Sequence, residues 1–449
     1  MDSPTKKQID QDLLRPVFKG SPRYFLAVAF FAAIVLTALG AWGYQILAGM
    51  GVAGINHPIF WGFYITNFVF WIGLSHAGTL ISAILRITHA RWRRPVTRCA
   101  EVLTVFALSI GALFPLIHLG RVWKFYWLLP YPSERGLWPN FRSPLLWDAM
   151  AITTYLLGSV TFLLLPTIPD FALMRDKFPG WKKKVYAVLA LGWRGTAQQW
   201  HRLETAMNIL AVVIIPVAVS VHTVVSWDFA MVPVPMWNTA IFGPYFVCGA
   251  IFSGIAALII VMFFIRKLLH LEHYLQPIHF DNLGKLLLTL SLLWLYFIFA
   301  EHLTAWYNNE PSEMAVFWST IRGRYAPYFW TMVVCNFAIP FPILAIRRLR
   351  TVGGTLIASF AVLIGMWLER FLIIVPSLSY KQIPYAWGSY QPSWVEITIT
   401  AGTFAAIILL YLLFVKVVPI ISIWELKGGE EQPARAERAE TFAEQAAER

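Results

Sequence analysis

The residues of this chain best placed to do chemistry are a histidine and an aspartate at facing ends of two consecutive apolar runs. His118 closes the third run and Asp148 opens the fourth, so both emerge near one membrane face. An imidazole beside a carboxylate can accept protons and hydrogen-bond a small amphipathic molecule. A quinol headgroup fits such a pair, since it has two hydroxyls a ring apart and each loses a proton on oxidation. A structural His–Asp bond closing a helix–helix corner would use the same two residues. His222 and Asp228, at the end of the fifth run, can complete the pocket, with Arg121 and Trp147 as further neighbours. A solvated loop carboxylate is the other reading of Asp228.

A second set lies towards the other face. His76, Glu101 and Glu204, with Ser75, Thr79, Ser109 and Thr205 between them, could form the entrance of a proton half-channel, because ionisable groups within a bilayer are costly and are kept for a purpose. Glu101 and Glu204 also sit near helix starts, where the helix dipole favours a carboxylate. Glu301, His302 and Glu369 are the analogous candidates in the second half, although Glu369 and Arg370 can simply neutralise each other; Glu396 reads as a helix-start carboxylate. Cys99, Cys248 and Cys335 are far apart and no CxxC is present, so no zinc site or iron–sulfur cluster held by this chain alone is expected. His118, His222 and His302 all fall on one side, and the other offers only His76 within a run, which argues against two stacked bis-histidine haems. No phosphate-binding glycine motif occurs, so electrons or energy must come through partners.

The elements that must position these residues are ten apolar stretches near 24–48, 59–87, 98–120, 144–168, 203–227, 239–265, 283–305, 325–346, 354–375 and 394–418. Each is long enough to cross a bilayer as a helix. Of the 449 residues, 58% are hydrophobic and 13% charged, about half the charged share of soluble domains. The expectation is an all-α polytopic membrane protein. The net charge of +12 gathers in short loops beside the apolar runs, a pattern that topology explains better than nucleic-acid binding. Lys and Arg concentrate on the side of the two termini, which places both in the cytoplasm. The N-terminus lacks the layout of a cleaved secretory signal, so the first span is expected to be kept.

Pro144-Leu145-Leu146-Trp147-Asp148 echoes Pro327-Tyr328-Phe329-Trp330-Thr331, each preceded by an arginine, Arg142 and Arg324, and His118 aligns with Glu301-His302. The repeat points to two four-helix bundles, spans two to five and six to nine, flanked by peripheral first and last spans. The expected divisions are a cytoplasmic segment 1–23, the first span and its loop 24–58, the first bundle 59–230, the second bundle 231–375, the last span 376–426 and a cytoplasmic tail 427–449. Thr331 stands where the first copy has Asp148, so the first bundle has the stronger claim to a chemical site. The connection 121–143, rich in Trp and Tyr including Trp123, Tyr126, Trp127 and Trp138, reads as an interfacial cap, and 169–202 as a segment along the headgroups.

The stretches NHPIFWGFYITNFVFWIGLSHAGTLISAILR (56–86), FPLIHLGRVWKFYWLLPYP (114–132) and GLWPNFRSPLLWDAMAITTYL (136–156) carry a resemblance. They resemble the NrfD/PsrC-like quinol-interacting membrane subunits, and among them the ActC-type subunit of alternative complex III. The resemblance implies a subunit of a quinol:electron-acceptor oxidoreductase in a bacterial cytoplasmic membrane. His118 and Asp148 fall on the family's quinol-site histidine and aspartate, and Asp228 is carried over with them. It implies menaquinol or another quinol as substrate, no redox cofactor on this chain, and electron transfer to an iron–sulfur subunit and on to a multi-haem cytochrome c. An ActF-like paralogue and small membrane subunits are the other implied partners. Proton translocation along His76, Glu101, Glu204, Glu301, His302 and Glu369 is a further implication. A proton-conducting or structural anchor paralogue without a quinol site is the alternative.

Overall fold

The computed structural model describes residues 6–18, 20–129, 141 and 143–428. Trp138, Arg142 and the tail beyond residue 428 lie outside the described residues. Among the described residues, ten helices are long and apolar enough to cross a membrane: Pro22–Ala48, Phe63–Ile87, Thr97–His118, Pro144–Lys177, Ala197–Ala230, Phe242–Leu268, Pro277–Asn308, Ala326–Ala345, Val352–Ser379 and Trp394–Phe414. They are called the first to tenth spans below. Among the described residues no strand forms, only a single bridge between Asn56 and Ile59. Helix is the outcome because a backbone in hydrocarbon must satisfy its own hydrogen bonds. Local signals fix the ends. Ser21, Thr196 and Thr351 each accept a bond from a backbone N–H in the first turn, and Ser393 with Glu396 forms a reciprocal capping box.

Several boundaries depart from the sequence reading. The second span starts at Phe63, since Asn56–Ile59 is tied into a turn. The fourth passes through a tight turn at Leu165–Thr167, where Pro166 and Pro169 interrupt the backbone ladder. Its continuation Ile168–Lys177 is largely buried rather than lying along headgroups; only Gly180–Leu189, with Trp181 and Val188 exposed, keeps the interfacial character. The fifth span runs 34 residues, about 50 Å at the helical rise, so it projects beyond the hydrocarbon core. The eighth is broken by a π-helical turn at Val334–Ala338 just before Pro340. The tenth ends at Phe414, and Ile420, Ile421, Ile423 and Trp424 then fold back into the interior. His201 and His279 lie within the first two turns of their helices.

The second span is the most buried and is the axis of the molecule. It packs on the third, fifth and sixth spans, and the ninth also reaches it. Small residues set these distances: a Cβ on Gly78 would overlap the Ala100 carbonyl of the third span, and one on Gly254 of the sixth would overlap Ala77. The first span lies along the tenth, with Gly402 against Ala38, and buries only Ala38, Ala41 and Gln45. One apolar cluster runs through the interior from Ile9 to Ile423.

The two ends of the core differ in their polar content. At the end away from His118, Arg98 pairs with Asp170 at 2.5 Å and donates to the Pro166 and Pro419 carbonyls. Arg86 pairs with Glu204 at 2.9 Å, and Arg93 with Glu425 at 3.2 Å. Such pairs resist loss of one partner more than they add net stability.

The close approach at Gly78 is open to test. Gly78→Ala forces the second and third spans apart and should cost about 1–3 kcal/mol. A lower unfolding temperature of the detergent-solubilised protein is the expected result, and an unchanged one would contradict the packing.

Candidate functional site

His118 is the last residue of the third span, Asp148 lies in the second turn of the fourth, and Asp228 lies near the end of the fifth. The elements bring them to one end of the core for simple reasons. Pro144 occupies the first turn of the fourth span, where its missing N–H costs nothing. Leu119 N donates to Pro115 O, and Gly120, at φ +69°, then turns the chain out of the third span.

The pairing differs from the sequence expectation. Asp148 faces Asp228, close enough for a side-chain hydrogen bond between the two carboxyls. No hydrogen bond or ion pair joins His118 to Asp148 among the described residues. The structural His–Asp bond weighed from sequence is therefore not formed. A bond between two carboxyls needs a proton held between them, because a carboxylate can accept but not donate. Apart from that pairing, His118 Nδ1, Asp148 Oδ1 and Asp228 Oδ1 are buried with no other hydrogen-bond partner among the described residues. Native proteins seldom leave such atoms unpaired unless a bound water, a ligand or the chemistry of the site uses them.

Beside the carboxyl pair lies a cavity of about 360 Å³, lined by Phe60, Trp61, Pro144, Leu145, Asp228 and Trp237 among others. Clefts of about 300–1,000 Å³ with apolar walls and one or two polar groups are the usual form of small-molecule sites. Trp61 and Trp237 stack at 5.6 Å, and Trp237 donates to the Ile373 carbonyl at 2.7 Å, which fixes that wall. Neither tryptophan stood out in the sequence. The signal available was the Pro-rich VPVPMW stretch between the fifth and sixth spans, which fixes a short connection across the cavity.

The other sequence candidates divide. Trp147 stands beside the site, its indole N–H donating to Phe141 O at 2.8 Å and its ring 6.0 Å from Trp227. Arg121 is exposed. His222 does not complete the pocket: it lies two turns deeper than Asp228 and packs on His76 at 4.7 Å between ring centroids. Both ring nitrogens of His222 and Nε2 of His76 are buried and unpaired among the described residues. His76 also stacks on Tyr155 at 4.9 Å, whose hydroxyl donates to Ser75 O. Thr104 Oγ1 bonds the same carbonyl and accepts from Thr79 N, and one turn further Ser82 donates to Glu101 at 2.6 Å. Arg86 and Glu204 follow. The helix-start reading of Glu101 and Glu204 therefore misses their contacts: both lie on one polar file that starts below the carboxyl pair. In the second half, Glu369 accepts from Trp294 at 2.7 Å and pairs with Arg370 at 3.3 Å. Glu301 is buried in the electrostatic reach of Glu369. His302 donates to Ile298 O and packs between Phe317 and Phe329, a contact that joins helices. Among the described residues no three His, Cys, Asp or Glu side chains converge as metal ligands.

Known proteins similar to this chain match it over most of its length. The family model described as "Polysulphide reductase, NrfD" matches residues 51–380. A protein of Halobacterium salinarum, provisionally named as a membrane subunit of dimethyl sulfoxide reductase, is 26% identical over 83% of this chain and 86% of its own length. A selenate reductase subunit of Mesobacillus selenatarsenatis is 25% identical over 89% of this chain and 94% of its own. The Hdr-like menaquinol oxidoreductase integral membrane subunit of Archaeoglobus fulgidus is 22% identical over the same shares.

A shared proton between Asp148 and Asp228 has a spectroscopic consequence. The infrared band of a protonated carboxyl should vanish in both Asp148→Asn and Asp228→Asn. Its survival in either variant would show that the two carboxyls do not act as one group.

Proposed function

We propose that this chain, which belongs to the polysulphide reductase NrfD family and is a multi-pass membrane subunit of an oxidoreductase complex, is the subunit where quinol is bound and oxidised. The site is the His118 end of the core. The observation that carries this is the set of three buried, unpaired atoms at one end of the core, His118 Nδ1, Asp148 Oδ1 and Asp228 Oδ1, together with an aromatic-walled cavity that Asp228 lines. Oxidation removes two electrons and two protons from the quinol and leaves the quinone. His118 takes or hydrogen-bonds one hydroxyl proton, and the carboxyl pair takes the other and releases it to water. The apolar walls hold the ring, and the isoprenoid tail stays in lipid.

The electrons leave to an iron–sulfur cluster on a partner subunit, and from there to a multi-haem cytochrome c, as in alternative complex III. Menaquinol is the favoured substrate, in keeping with the name of the archaeal relative. The His118 end faces the extracytoplasmic side of a bacterial cytoplasmic membrane, since the opposite end carries the Lys- and Arg-rich loops. A second activity has its own support. The polar file from His222 through His76, Tyr155, Thr104 and Glu101 to Glu204 crosses most of the membrane, and suits proton transfer coupled to the reaction.

Replacing a proton acceptor tests the reading directly. In membranes holding the assembled complex, His118→Ala or Asp148→Asn should slow quinol oxidation by about 10²–10⁴-fold. Near-normal turnover in either variant removes that residue from the mechanism. Failure of a photoreactive quinone analogue to label the His118 end would leave the structural-anchor alternative standing.

A further inference from the structure

We propose that Gln45 and Tyr64 are positioning residues for His118, braced by the two spans that flank the core. The inference rests on the reading of His118 as an acceptor for quinol. It starts from an anomaly in the first span, which exposes most of its surface and yet buries the amide of Gln45 completely. An amide in hydrocarbon is costly unless bonded. Gln45 Nε2 donates to Ile117 O at 2.9 Å and lies 3.1 Å from Met50 Sδ, while Oε1 accepts a short bond from the Tyr64 hydroxyl.

Ile117 is the residue before His118, and its carbonyl is one of the last four of the third span, which have no partner within the helix. Pro115 weakens this last turn further, because it provides no N–H for the carbonyl four residues earlier. The Gln45 amide therefore holds the backbone next to His118 where the helix itself cannot. Tyr64 holds the ring: fully buried, it meets His118 edge-on with ring centroids 6.4 Å apart. His118 Nδ1 is left unpaired, so neither contact consumes the nitrogen.

Tyr64 is itself fixed from the tenth span. Glu396 accepts from Gly54 N at 2.8 Å, Ser393 N at 2.9 Å and the Tyr390 hydroxyl at 2.8 Å. Burial, with Glu396 beside it, pushes the Tyr390 hydroxyl well above the usual range and keeps it a donor. The same oxygen accepts from Phe63 N at 2.9 Å. An unbroken set of bonds thus runs from Glu396 through Tyr390 and the Phe63–Tyr64 turn to Gln45 and Ile117. Helix docking alone would need none of this directed at the residue beside His118.

The test is steady-state oxidation of a short-chain naphthoquinol by membranes carrying the assembled complex. Gln45→Leu, which keeps the volume and removes both bonds, should lower kcat about tenfold with KM within about twofold, as expected when a reacting group is misplaced but the pocket is intact. Tyr64→Phe removes one hydroxyl and should lower kcat about threefold at unchanged KM; it decides the matter if Gln45→Leu does not assemble. Wild-type kcat in Tyr64→Phe, or a loss confined to KM, overturns the proposal. His118→Ala separates the two readings. If it is slow while Gln45→Leu and Tyr64→Phe are normal, only the brace fails; if it turns over normally, the site itself fails and the brace with it.

Discussion

Hydrocarbon offers no hydrogen-bond partner, so every polar group within a membrane-spanning core must be matched by the protein or be used by it. The two ends of this chain resolve that constraint differently. Away from His118, guanidinium groups are set against carboxylates and backbone carbonyls: Arg98 alone reaches Asp170, Pro166 and Pro419. Single atoms such as Arg98 Nε stay unmatched there, but on side chains already ion-paired. At the His118 end an imidazole and two carboxyls each leave an atom unmatched, and no cation compensates the carboxyl pair among the described residues. The imbalance between the two ends is the physical basis for placing a reaction at one of them.

Positioning follows from the second span. Its glycine and alanine contacts bring the third and sixth spans to backbone distance, so side chains on the neighbours meet without long reaches. His76 and Tyr155 stack, Thr104 reaches the Ser75 carbonyl, and Ser82 reaches Glu101, all on or against this one helix. Close packing of this kind restricts rotamers and transmits displacement. The brace at Gln45 depends on it too, because Tyr64 is held only as firmly as the start of the second span.

Much of this was legible in the chain. Continuous apolar runs announced the spans, and the ionisable residues within them marked where the buried polar groups lie, because each signal lies within a single segment. What escaped depends on which helix neighbours which. Asp228 could be read either as completing the pocket or as a loop carboxylate, because nothing in its own segment shows that the fifth span carries it beside Asp148. His222 was placed in the pocket by proximity in sequence, whereas helix rotation turns it to His76. Gln45 drew no notice on an otherwise apolar span, and Glu425 lay beyond the last one. The break at Val334–Ala338 follows from Pro340, yet a proline in an apolar run does not reveal whether a helix kinks or widens.

The replaced pairing bears on mechanism. A histidine bonded to Asp148 would have been one acceptor with its orienting partner. The chain instead holds two acceptors on separate helices, an imidazole with a free nitrogen and a carboxyl pair able to share a proton. A quinol carries its two hydroxyls on opposite sides of a ring, so, on the proposed reading, separate acceptors let each proton leave without the ring turning over. They also give the two protons different routes. Asp228 lines the cavity near the end of the fifth span, beyond His222, while His118 is fixed from the flanking spans. A group needed only to pass protons onward can tolerate motion. One that must meet a reacting hydroxyl cannot, and that difference accounts for a brace at His118 and none of the same kind at the carboxyls.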